Sequence, residues 1–339
     1  MKAMKHILPR LALLSVAALL AASCNKNAGE GANVALKRQF DAWRAIHYPD
    51  AVEKDGIYIL EDTPGTGSTW NKDLGITFMT YTIRSLDGSV SYNTDEQWAK
   101  QLGKWDPTYY YGSQVVPTGR DATYAGVDIL LDGMRKGGVR TAIIPSWLMT
   151  YSRYDNLDQY LDVSTDTPSM IYTITFMDQT DDLAEYEFRQ MKEYANRKWN
   201  VTDTLGTAAV FFKSFTQFDG EPDEMPIDTT VYINYTGRRI SDGQVFDTTV
   251  ADTAKFYNIY NPAKTYAPVE ITWAEEAKSI KLSGNSVVDG FAYGLSAMHP
   301  GEKASFVFGY NLGYGTSGSG NLIPAYASLQ FDIEMVPKP

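Results

Sequence analysis

The residues best equipped for chemistry cluster in the last third of the chain. Tyr235 ends an alternating run, Val231-Tyr232-Ile233-Asn234-Tyr235. Asp242-Gly243 is a turn signal, and Phe246-Asp247 follows it. Val287-Val288-Asp289-Gly290-Phe291, Tyr314-Gly315, Leu322-Ile323-Pro324 and Phe331 complete the set. The Asp247 carboxylate with the Tyr235 and Tyr314 phenols, set among apolar side chains, can desolvate and orient a ligand, but they supply no strong nucleophile. The chain has a single cysteine, Cys24, and three histidines. His6 lies in the N-terminal leader, and His47 and His299 fall in different expected domains. A Ser-His-Asp triad and a His/Cys metal site are therefore excluded. An all-carboxylate metal site stays open, although no EF-hand-like spacing occurs, and no cofactor is expected.

Strands and one helix must position these residues. Apolar Val288, Phe291, Leu295 and Met298 recur every three or four positions, which predicts a helix over Val287 to Met298 with one buried stripe. Strands are expected at Ala208 to Phe212, Ala304 to Phe308 and Ser328 to Met335. The same order occurs earlier in the chain. Tyr81-Thr82, Arg84 and Asp87-Gly88 parallel Tyr235-Thr236, Arg238 and Asp242-Gly243, and strand Met170 to Phe176 parallels the last strand. Two copies of one domain follow, each preceded by a helix (Val34 to His47, Asp181 to Lys198) and each with its own core. The expected class is α+β, an antiparallel sheet wrapped around one short helix in each copy. The expected organisation is a leader over 1–23, a tether and helix over 24–50, a first copy over 51–180, a linker helix over 181–206 and a second copy over 207–339.

In order and spacing, residues 207–339 resemble the FK506-binding-protein (FKBP) family of peptidyl-prolyl isomerases. The resemblance implies an FKBP-like fold in both copies and X–Pro isomerase activity in the second. It implies that Tyr235, Phe246, Val287, Val288, Phe291 and Phe331 line a proline pocket, with Phe291 at a floor where the family usually has Trp. Asp247 would be a buried carboxylate facing the twisting carbonyl, held by the Tyr235 hydroxyl. Tyr314 would bond the substrate backbone, as would the Val288 N–H, and Ile323 beside Leu322 would close one wall. Such chemistry needs no acid, base or metal, because the barrier of roughly 18–20 kcal/mol is amide resonance. A catalyst need only favour the twisted amide over the planar one. Taken alone, an aromatic on a strand is usually core, and Asp247 could equally cap a turn.

The two copies differ. In the first, Ser91 and Tyr92 stand where Phe246 and Asp247 stand, Thr173 replaces Phe331, and Leu148-Met149-Thr150-Tyr151-Ser152 replaces the Tyr-Gly stretch. This copy is expected to be inactive, serving to bind or to space. Its aromatic insert (Trp98, Trp105, Tyr109, Tyr110, Tyr111) could hold a polypeptide or glycan, or pack under a loop. The second copy carries a long segment between Thr249 and Ile280, which could widen, cover or block the pocket. A non-catalytic FKBP-like binding or chaperone lipoprotein is the competing reading.

The N-terminus reads as an export signal. Lys2, Lys5 and Arg10 precede the short apolar stretch Leu11 to Ala22, and Ala21-Ala22-Ser23 precede Cys24. This resembles a bacterial lipoprotein signal cut before Cys24, whose thiol would carry lipid, although Leu20 stands four residues before the cysteine rather than three. A plain secretory signal is the alternative. The expected location is the bacterial cell envelope, with a lipid anchor in the outer membrane on its periplasmic or surface side. The expected partners are proline-containing polypeptide clients and the membrane. The formal charge of -11 falls to -14 once the three leader cations are removed, and no basic patch interrupts it, so nucleic acid is not an expected partner.

Overall fold

A computed structural model describes residues 31–163, 166–206 and 208–339, so the leader and Cys24 lie outside the described residues. Two antiparallel sheets, one in each copy, organise the described residues. The first runs Val52–Lys54, Ile57–Thr63, Val139–Ile144, Met170–Thr180, Ile76–Ser85 and Val90–Asn93, with Gln114–Pro117 also paired to Ile76–Ser85. The second runs Asn285–Ser286, Lys281–Leu282, Val269–Thr272, Thr230–Arg239, Leu329–Val336, Lys303–Phe308 and Val210–Ser214, with Val245–Thr248 also paired to Thr230–Arg239. Strand for strand the central order is the same, so the sequence repeat is a repeat of topology. The class is α+β, with one antiparallel sheet in each copy.

Side-chain parity explains how each sheet buries one face. In Leu329–Val336, Leu329, Phe331, Ile333 and Met335 alternate inward. They meet Phe306, Phe308, Phe291 and Leu295 in a core of the second copy's own. The helix across that sheet is Asp289–Ser296, shorter than the expected Val287 to Met298. Val288 is extended at its N-cap (ψ 146), and Ala297 closes the other end. The helix approaches the sheet so closely that a Cβ on Gly290 would lie 2.2 Å from the Phe308 ring, and one on Gly294 2.4 Å from Phe306.

The expectation of one internal helix per copy is corrected. The first copy holds Glu96–Gln101, Ala125–Leu131 and Leu157–Asp162, and the second adds Ala251–Phe256. The extra helices lie in loops and inserts, where short segments cap local turns without a long apolar period. Asp95 and Asn156 act as side-chain N-caps for two of them.

Each copy also docks its preceding helix. Val34–His47 buries Phe40 edge-on against Trp147, with ring centroids 5.4 Å apart. Leu183–Trp199 starts at Asp182, whose side chain accepts from Glu185 N at 2.9 Å, and ends at Asn200 in the left-handed region (φ 56). It touches both sheets. Tyr186 stacks on Phe78 of the first at 4.4 Å, and Met191, Ala195 and Trp199 form a small core with Phe211 and Val307 of the second.

Candidate active site

Strand Thr230–Arg239 organises the site. Positions 233, 235, 237 and 239 share a parity, so Tyr235 emerges beside the core residue Ile233, two residues before Gly237. At Gly237 the absence of a side chain decides the packing: a Cβ there would sit 2.7 Å from both Phe246 and Phe331. The bare backbone lets these two rings meet at 5.7 Å, nearly edge to face (79°). Phe291 then closes on Phe331 at 4.8 Å and on Tyr235 at 6.1 Å. Four of the expected residues therefore form one aromatic cluster. Val287 and Val288 pack against the same core half-buried, and Ile323 is buried in it.

Across this cluster the Tyr235 hydroxyl donates to Asp247 Oδ2 at 2.6 Å. Burial, reinforced by the Asp247 charge, pushes the Tyr235 hydroxyl pKa far above the usual phenol value, so it stays a donor. Tyr314, 37% exposed, is raised for the same two reasons, which places it in the field of the same carboxylate. Asp247 Oδ1 accepts from Thr248 N at 2.9 Å.

The expectation of a buried Asp247 is corrected: its side chain is 41% exposed and is ion-paired to Lys264. A bulge where Val245–Thr248 pairs with Thr230–Arg239 leaves Asp247 facing the cluster's rim. There the insert arrives, fastened by Tyr257, whose hydroxyl meets Arg238 (3.3 Å) and whose carbonyl accepts from Gln244 (2.9 Å). Tyr260 and Tyr266 stack at 5.1 Å, and Lys264 sits over the Tyr266 ring. The insert sets a cation on the carboxylate. Ile280 and Trp273, from its far end, are buried in the core.

In the first copy, Tyr81 occupies the place of Tyr235 and stacks on Tyr92 at 5.3 Å, so a phenol replaces the carboxylate partner. Thr173 pairs with Thr141 across the strands at 3.0 Å where the second copy sets Phe331 against Phe306. A cavity of about 510 Å³ lies in the seam between the copies, lined by Tyr110, Tyr186, Ser241 and Tyr326 among others, away from the aromatic cluster.

The family model described as FKBP-type peptidyl-prolyl cis-trans isomerase matches residues 222–336, the stretch that holds the whole cluster from Tyr235 to Phe331. The second copy is an FKBP domain. The FKBP domain is 29% identical over 110 residues to the macrophage infectivity potentiator of Trypanosoma cruzi, a match covering 32% of this chain and 43% of that protein. It is 28% identical over 117 residues to a probable FKBP-type peptidyl-prolyl cis-trans isomerase of Haemophilus influenzae, covering 34% and 38%. It is 29% identical over 106 residues to FK506-binding protein 2 of Candida glabrata, covering 31% and 62%. The chain thus spans less than two thirds of the length of each of these relatives.

Three residues bearing on the FKBP site are not among the expected site residues: Lys264, Tyr257 and Arg239. Lys264 and Tyr257 lie in a segment without period. Arg239 could have been noticed as a charge on the inward parity of a strand, with Asp242 three residues on as a partner.

Proposed function

We propose that the FKBP domain isomerises X–Pro bonds in exported polypeptides and that the first copy has no isomerase activity of its own. The observation that carries this is the Tyr235–Asp247 hydrogen bond at 2.6 Å, set on the edge-to-face cluster of Phe246, Phe291 and Phe331. The apolar rings would hold the proline ring and strip water from the planar amide. The planar amide carries more negative charge on its oxygen than the twisted one. A carboxylate beside that oxygen therefore raises the ground state more than the transition state. Tyr235 would keep Asp247 aimed, and Tyr314, partly exposed, would bond the substrate backbone. In the first copy Tyr92 offers no such charge, which supports assigning turnover to the second copy alone.

The chain would be exported and carried on lipid at Cys24 in a bacterial envelope, where proline-containing secreted or membrane proteins are its clients. Isotopic labelling with a fatty acid would test the anchor: incorporation into the natural chain and none into Cys24→Ala. The isomerase reading is tested by NMR exchange on an X–Pro peptide with the mature chain, beside Phe246→Ala and Asp247→Val. Acceleration lost in both folded variants supports the reading, and a natural chain that leaves the exchange rate unchanged defeats it.

The Lys264 pair favours a second reading, in which the domain grips proline peptides without turning them over because its carboxylate is already neutralised. Peptide binding by titration calorimetry with no rate enhancement would select it.

A further inference from the structure

Arg239 is 1% exposed, an unusual state for a cation, and its partners come from both copies. Its Nε and Nη2 grip the two oxygens of Asp242 at 3.0 and 2.8 Å. Its Nη1 donates to the carbonyl of Thr108, in the first copy's aromatic insert, at 3.1 Å, and to the carbonyl of Leu322 in the second copy. The Tyr110 ring covers the guanidinium, with 5.6 Å between its centroid and the guanidinium carbon. The Tyr110 N–H reaches the Asn321 carbonyl at 3.4 Å. Two successive carbonyls immediately before Ile323 are thus held at this seam, that of Asn321 by the first copy's Tyr110 and that of Leu322 by Arg239, which the first copy's Thr108 and Tyr110 themselves grip.

The other backbone bonds of that segment are local ones, such as Ser319 with Ile323 and Tyr326 N–H with the Gly315 carbonyl, and Ile323 is its buried anchor. Between Gly313 and Ser328 the backbone forms no strand or helix, only turns and an isolated Ser319–Ile323 bridge. The same segment carries Tyr314 and Ile323, two residues of the candidate site. We propose that the Thr108–Tyr110 segment, acting through Arg239, holds the Ser319–Pro324 wall of the proline site in its binding position. The first copy is then a built-in positioning partner of the second, and Tyr110 and Arg239 are positioning residues. This rests on the isomerase reading for its effect on turnover, but not for its effect on the wall.

The expected kinetic signature follows from population arithmetic. If loss of Tyr110 lets the wall leave its binding position for part of the time, apparent affinity falls by the fraction still competent. Bound substrate, however, sees the same wall. KM should rise and kcat should not fall.

The test uses the mature full chain with Tyr110→Ala and Tyr110→Phe. Hydrogen exchange by mass spectrometry reads residues 319–325, with strand Ile76–Ser85 as the internal control, and NMR exchange on an X–Pro peptide gives KM and kcat. Tyr110→Ala should speed exchange at 319–325 by about tenfold while the control strand is unchanged. It should raise KM about fivefold with kcat within about twofold. Tyr110→Phe, which keeps the ring over the guanidinium, should restore both. If Tyr110→Ala also loses protection in the control strand, Tyr110→Leu, which fills the space without a π-face, is read by the same criteria. Unchanged exchange at 319–325, or a fall in kcat at constant KM, overturns the proposal. A natural chain without isomerase activity would defeat the isomerase reading, and the exchange measurement would still decide the role of Tyr110.

Discussion

Replacing Lys264 by alanine should make the FKBP domain faster. In the structure the ammonium sits on the carboxylate expected to act on the substrate carbonyl, so part of the Asp247 charge is cancelled before the peptide arrives. The size of the effect follows from exposure. The two side chains are 37% and 41% exposed, so water screens the pair and its worth is about 0.2–1 kcal/mol rather than the several kcal/mol of a buried contact. If that energy must be lost for the substrate to use Asp247, removing Lys264 raises kcat/KM by at most about fivefold. Thermal stability should drop by only about 1–3 °C. Salt supplies an independent lever, because the Debye length shrinks from about 10 Å at 0.1 M to about 3 Å at 1 M. The natural chain should accelerate as salt is added, and Lys264→Ala should not. NMR exchange on an X–Pro peptide is the suitable assay, since a coupling protease would have its own salt dependence. A fall in kcat/KM of more than about threefold in Lys264→Ala would refute the reasoning, as would slowing of the natural chain by salt. Lys264 would then be helping to bind the peptide or aim the carboxylate.

Tyr235→Phe removes a charge-assisted hydrogen bond while keeping the ring, so it should cost about 1–2 kcal/mol in urea denaturation and lower kcat/KM. Gly290→Ala places a methyl 2.2 Å from the Phe308 ring, and the helix must back away at a cost of about 1–3 kcal/mol, measurable by calorimetry. Glu187 is predicted to make stability pH-dependent. Burial raises its carboxyl above the usual value, against hydrogen bonds from Ser328 and the Tyr310 N–H. The folded chain then binds more protons than the unfolded one between the ordinary and raised values. Stability falls as pH rises through that window and stays lower above it. Glu187→Gln, whose amide oxygen can accept both hydrogen bonds, should therefore stabilise more at pH 8 than at pH 4.

The repeat and the aromatic cluster were legible because both are written in local periods. Tyr235, Phe246, Phe291 and Phe331 lie on strands and a helix whose period-2 and period-3.6 patterns already assign them to an inner face. Their meeting needs only that the sheet fold over the helix. The surroundings of Asp247 were not legible. Its ion-pair partner, Lys264, lies 17 residues on in a segment whose contacts are made by a Tyr stack and a turn rather than by a periodic face. The helix ends moved inward at Val288 because an extended residue there begins the turn, a backbone choice that apolar spacing does not encode. Neither proposed fate of the first copy's aromatic insert anticipated Tyr110 lying over Arg239. They are more than a hundred residues apart, and only the packing of one copy on the other brings them together.

The helix Leu183–Trp199 couples the copies in a way that has a phase. Tyr186, near its start, is keyed to Phe78 of one sheet, and Met191, Ala195 and Trp199 are keyed to Phe211 and Val307 of the other. Because an α-helix turns about 100° per residue, one residue inserted between these grips would rotate one copy against the other by that angle and tear out one set of keys. Seven inserted residues, close to two full turns, would restore the angle while lengthening the shaft by about 10 Å. The joint is thus built like a splined shaft, with the orientation of the copies set by residue count.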